Sequence, residues 1–141
     1  DNLGVRKLAA DTQSSTLNMT ATTRFLESFD IDAHIERARA VYRAKRDLML
    51  SSMAEHFPAE VAVTTPEGGL FTWVTFPEGF DAEAFMAEHA LPEAGVAYVP
   101  GGSFLPAEQR SNYARFSYSG QSDEEMVDAL TRLGGILREH I

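Results

Sequence analysis

The sequence contains no cysteine and only two lysines, Lys7 and Lys45, and its 12 basic residues are outnumbered by 21 acidic ones. Without cysteine there are no disulfides, no thiolate metal ligands and no thiol nucleophile. That composition is compatible with a reducing setting, and a cytoplasmic location is expected. The formal net charge of −9 argues against general affinity for polyanions, so neither nucleic acid nor a membrane surface is expected as a partner. No apolar run approaches the roughly 20 residues that span a bilayer. The opening "DNLGVRKLAADTQ" has neither a methionine nor the basic-then-apolar order of a signal peptide, and reads as the start of a fragment or a processed product. Chemical motifs are also scarce. His34, His56, His89 and His140 stand apart, with no ligand-like spacing, so no metal site is expected. There is no nucleophile elbow, phosphate loop or dinucleotide fingerprint, and no serine–histidine–acid set, so no catalytic residue is assigned.

What is present is ordinary globular patterning. The 141 residues, 44% of them hydrophobic, fit one domain with a substantial core. Residues 1–29 read as a mostly helical segment interrupted by the polar run "DTQSSTLNMT". Asp30 or Asp32 can cap the long helix that follows, and Ile35, Ala38, Tyr42, Met49 and Met53 recur along it at helical spacing. Phe57-Pro58 ends it, because proline disfavours helical geometry in the residue before it. The basic cluster "RARAVYRAKR" lies on this helix; it reads as a solvated face balanced by neighbouring acids.

"EVAVTTPEGGLFTWVTFPEG" is two strands around a turn. In its second strand Leu70, Val74 and Phe76 face one way and Phe71 and Trp73 the other, as in a strand that is central or covered on both sides. Asp81 opens and Gly95 closes a helix, with Pro92 starting a short separate turn near its end. "VAYVP" is a strand and "GGSFLPAEQRS" a loop. Ser122 and Glu125 form a capping box for the last helix, whose stripe is Met126, Leu130, Leu133, Leu137 and Ile141. The Gly134-Gly135 pair in that helix points to close packing. The expected class is α+β: a small sheet of three or four strands, largely antiparallel, covered mainly on one face by helices.

Between the loop and the last helix lies "NYARFSYSG". Ala114, Phe116 and Tyr118 fall on one face of an extended chain, and Tyr113, Arg115, Ser117 and Ser119 on the other. Arg115 is therefore either surface structure or a rigidly mounted fork for a carboxylate. Guanidinium is planar, permanently charged and matched to a carboxylate, as lysine is not.

Several stretches, in order, resemble the carboxyl-terminal small domain of the class I/II aminotransferases, the pyridoxal-phosphate enzymes of fold-type I. "TTPEGGLFTWVTFPEG" is similar to that family's P-x-G-G turn and apolar strand, and "GVAYVPGGSF" to its G-V-x-x-x-P-G-x-x-F strand and loop. "NYARFSYSG" is similar to its N-x-x-R-x-x-[FY] strand, and "YRAKRD" to its arginine-rich helix. The likeness covers nearly the whole chain and is greatest to the aminoadipate/kynurenine-type branch. It implies that Arg115 binds the α-carboxylate of amino acid and 2-oxo acid substrates. It also implies that the Schiff-base lysine and the residues cradling pyridoxal phosphate lie in a large domain upstream, so that this chain alone neither binds the cofactor covalently nor catalyses transamination. Residues 1–29 would then link from that missing large domain and 30–141 would form the small domain, typically of a homodimer. The alternative implied by the same likeness is the ligand-sensing, aminotransferase-like domain of a transcription regulator. Pro92 departs from the family, whose helix generally continues there.

Overall fold

A computed structural model describes residues 2–106 and 111–141. Its contacts divide the chain into two compact units, one up to Arg39 and the other Ala40–Ile141.

The first unit holds helix α1 (Asn2–Ala10), helix α2 (Thr16–Ser28) and the opening turns of helix α3 (Ile31–His56). Within the polar run, Ser15 caps α2 by accepting a hydrogen bond from the Asn18 N–H. Asp30 caps α3, accepting from the Ala33 N–H at 2.9 Å, because the first amides of a helix have no partner inside it. Neither α1 nor α2 buries a side chain. The Phe25 and Phe29 rings stack at 4.8 Å, both exposed.

The second unit is built on a four-stranded antiparallel sheet. Strands β1 (Ala62–Val63), β2 (Phe71–Thr75), β3 (Val99–Pro100) and β4 (Tyr113–Ser117) lie in the order β1-β2-β4-β3. The α+β class and the largely antiparallel sheet agree with the sequence reading. One face carries Thr72, Val74, Ala114 and Phe116, all buried, and packs with Met49, Met53 and Phe57, and with Met126, Leu130, Leu133 and Leu137 of helix α6 (Asp123–His140). The capping box of α6 is complete: Ser122 accepts from the Glu125 N–H, and Glu125 accepts from the Ser122 N–H. Gly134 sits so close to the end of α3 that a Cβ there would lie 2.3 Å from the His56 carbonyl oxygen. Of the glycine pair, Gly134 is thus the packing device, whereas a Cβ at Gly135 would meet open space.

Asp81 caps α4 (Ala82–Phe85), accepting from the Glu83 and Ala84 N–H groups. The helix widens into a π turn, Met86–Ala90, before α5 (Leu91–Ala94) and its left-handed Gly95. An interior proline clashes with the carbonyl four residues earlier, and a π turn moves that carbonyl aside. Pro92 therefore resumes the helix at its first turn instead of breaking it.

Two buried tyrosines tie the layers together. Tyr98 donates to the Ala82 carbonyl at 2.7 Å and Tyr118 to the Gly69 carbonyl at 2.8 Å. Burial, with the Asp81 charge adding to it, pushes the Tyr98 phenol well above its ordinary range. Tyr118 shifts the same way by burial, opposed by Arg46. No helix among the described residues is long and apolar enough to cross a membrane.

Candidate functional site

The face of the sheet turned away from the core is chemically different. Its register sets Phe71 opposite Ser117, Trp73 opposite Arg115 and Thr75 opposite Tyr113. Residues directly opposite in a sheet point to the same side, so these six share one face. β2 lies between β1 and β4, as expected of a central strand, and on its outer face Phe71 is 42% exposed while Trp73 and Thr75 are half-buried. Arg115 stands in the middle of that face, with Trp73 beside it on β2 and Val99 beside it on β3.

The guanidinium carbon of Arg115 lies 4.0 Å from the centroid of the Phe71 ring and 4.8 Å from that of Phe104. Phe71 reaches it as the diagonal neighbour in the β2–β4 register. Phe104 reaches it from the 3-10 turn Gly101–Phe104 that follows β3. That turn lies against β4 because position 101 is glycine: a Cβ there would come within 2.6 Å of the Tyr113 Cβ and 2.7 Å of the Ser111 Oγ. Trp73 packs edge-on to Phe104 at 5.6 Å and stacks on Tyr113 at 6.0 Å. A guanidinium against an aromatic face gains about 0.5–2 kcal/mol, more when water is excluded.

Among the described residues Arg115 has no ion-pair partner and makes no side-chain hydrogen bond. Its Nε–H is buried without a partner, while its two terminal nitrogens are not buried. A buried donor left unpaired costs roughly 1–3 kcal/mol. The rings offset part of that. The other half of the fork is unused.

Several other charged candidates have partners of their own. Lys45 donates to the Gln121 carbonyl at 2.5 Å and to Asp123 at 3.2 Å, and Lys7 pairs with Asp11 at 2.7 Å. In the basic cluster Arg39 pairs with Glu36, and Arg46 pairs with Asp47 and donates to the Pro66 carbonyl. Arg132 pairs with Asp128. His89 and His140, distant in sequence, meet with ring centroids 4.1 Å apart. Each Nδ1 is already engaged, by Glu93 and by the Ile136 carbonyl respectively. No group of three or more histidine or acidic side chains among the described residues could hold a metal ion. Four cavities among the described residues, one beside α6, one around His89 and His140, one under Pro58 and one between Leu48 and the start of α6, do not include Arg115 in their walls.

Sequence reasoning picks out Arg115 but passes over its aromatic company. It gives Phe71 only a strand face and Phe104 only a loop. The available signal is the glycine pair before Phe104, which permits a tight turn back onto the sheet.

No family model matches the chain. Individual relatives do. The chain is 32% identical over 139 residues to aromatic-amino-acid aminotransferase 1 of Thermococcus litoralis, spanning 99% of this chain and 33% of that protein. Among solved structures, a multiple substrate aminotransferase from Thermococcus profundus superposes with a TM-score of 0.83 at 32% identity, over 96% of this chain and 33% of that one. The α-aminoadipate aminotransferase of Thermus thermophilus, complexed with N-(5'-phosphopyridoxyl)-L-leucine, superposes with a TM-score of 0.79 at 34% identity, over 95% and 34%. A more distant relative, an HTH-type transcriptional regulator of Bacillus subtilis, is 26% identical over 94% of this chain. The chain thus spans about a third of the length of the curated aminotransferases it matches. Nearly full coverage of this chain, a common fold and identities above 30% lead to one conclusion: the chain belongs to the fold-type I aminotransferase family, in the region of its carboxyl-terminal small domain.

Proposed function

We propose that this chain is the small domain of a pyridoxal-phosphate-dependent aminotransferase that moves an amino group between an amino acid and a 2-oxo acid. In this reading Arg115 binds the α-carboxylate common to both substrates. The observation that carries it is the free terminal edge of the Arg115 guanidinium, rigidly mounted on a central strand in a protein of strong negative charge. A fork on a strand orients its ligand better than one on a loop, and orientation of the reacting carbon is a large part of what such a site contributes. Both carboxylate oxygens accept hydrogen bonds at once, which fixes the ligand's rotation as well as its position.

Pyridoxal phosphate, when bound, supplies an electron sink for the substrate's Cα. In this reading neither lysine of this chain is its covalent anchor; Lys7 lies beside Asp11 and Lys45 beside Asp123. Its attachment and the proton transfers belong to the rest of a longer protein, with residues 1–29 linking to that part and 30–141 forming the small domain. Closure of the two domains over the substrate excludes water. A homodimer in the cytoplasm, acting in amino acid metabolism, completes the reading. The likeness to a transcriptional regulator supports a second one, in which the same carboxylate fork senses a ligand. An upstream helix-turn-helix segment distinguishes it from the first.

The test uses the full-length protein with pyridoxal phosphate. Arg115→Ala and Arg115→Lys should each weaken binding of amino acids by about 2–4 kcal/mol, the cost of losing a charged bidentate contact. Amines without a carboxylate should bind as before. Equal losses for both ligand types refute the role. The 141-residue chain alone, mixed with pyridoxal phosphate, should develop no lysine-linked absorbance band.

A further inference from the structure

The two rings against Arg115 are not needed for charge. A guanidinium that only had to attract an anion would be best left hydrated. Here its Nε–H has given up water without gaining a partner, and buried groups of that kind are rare unless something else holds them in place. What holds this one is a pair of π faces from separate elements, at 4.0 and 4.8 Å. Neither meets the arginine by chance. Phe71 is placed by the β2–β4 register, and Phe104 by a turn that only a glycine at 101 allows so near β4.

A guanidinium offers a carboxylate two usable edges. One is lateral and includes Nε; the other is terminal and uses the two Nη groups. Burial of Nε closes the first edge and leaves the second. We infer that Phe71 and Phe104 are positioning residues that clamp the plane of the Arg115 guanidinium, so that a substrate carboxylate is met end-on by the two terminal nitrogens. This rests on the proposed role of Arg115 and adds the approach geometry and the two residues that set it.

The experiment measures equilibrium binding to the full-length protein with pyridoxal phosphate, for an amino acid and for the corresponding amine lacking the carboxylate. Phe71→Leu and Phe104→Leu keep apolar bulk but remove the π face; each should weaken amino acid binding roughly 2- to 30-fold and leave amine binding unchanged. Phe71→Tyr and Phe104→Tyr retain the π face and should stay near wild type. Thermal melting of the tyrosine variants should match wild type, and each leucine variant should melt a few degrees lower, by the ring contact it loses. A crystal structure with a bound carboxylate ligand should place its oxygens on Nη1 and Nη2 and not on Nε. It decides the matter on wild-type protein should a leucine variant fail to fold. Equal weakening for both ligands, no weakening at all, or a carboxylate oxygen on Nε overturns the clamp. Arg115→Ala runs in parallel. If it separates the two ligands while the leucine variants do not, the clamp alone is wrong. If it fails to separate them, the carboxylate role falls, and the clamp with it.

Discussion

Strand β4 serves two unlike surfaces. Ala114, Phe116 and Tyr118 are buried under the helices, whereas Tyr113 and Ser117 are exposed on the other side with Arg115 between them. The inner face is held by packing against many neighbours. The outer face is organised around one cation, two rings in contact with it and an unfilled pair of hydrogen-bond donors. Stability and, in the proposed role of Arg115, recognition are therefore assigned to alternate residues of the same five-residue strand, and substitutions one position apart should have separate consequences.

The sharpest break comes from the inner face. Phe116→Ala removes a ring that packs against Phe57 and Tyr98 and should cost about 3–5 kcal/mol in chemical denaturation. Arg115→Ala, its neighbour, should leave the denaturation midpoint almost unmoved, because it deletes a buried unpaired donor together with its ring contacts. If the two variants destabilise equally, the division between faces is wrong.

Alkaline titration sharpens the same contrast. The folded-state pKa of Tyr98 is raised, so its contribution is fully present below the ordinary phenol pKa of about 10 and is lost as pH rises through the higher folded value. Tyr98→Phe should flatten that alkaline fall in stability while forfeiting about 1 kcal/mol of hydrogen bonding to the Ala82 carbonyl at neutral pH. Melting curves across the alkaline range measure both. The smallest effect is expected at the start of α6. Hydrogen bonds from Ser122 hold the Glu125 carboxyl below its usual range. The stability this supplies is present above the ordinary carboxylate pKa and disappears as pH falls through the lowered value. Ser122→Ala should lower the melting midpoint by roughly 2–6 °C at neutral pH and by less in acid, without touching ligand binding.

Local features are legible in the sequence because their physics is local. The Asp30 and Asp81 caps, the Ser122–Glu125 box, the helix stop at Phe57-Pro58 and the two faces of β4 all depend on residues within a few positions of each other. The sheet order is not legible. β2 pairs with β4 across a long intervening stretch, and β1 and β3 are each only two residues long, too short for alternation to register. The π turn before Pro92 is equally hidden, since it answers a backbone clash and leaves no side-chain pattern. At the site, Arg115 stands out by type and position. Its contacts with Phe71 and Phe104 emerge only once the register and the 3-10 turn exist.

The facing of Trp73 with Arg115 has a consequence for assembly. Were β4 to slide by one residue against β2, every side chain on it would change sides. The guanidinium would enter the oily layer and Phe116 would emerge into water, two errors that reinforce each other. Misassembly and loss of the proposed carboxylate fork would then be a single event, so a well-folded domain with a concealed cation is not among the states this strand permits.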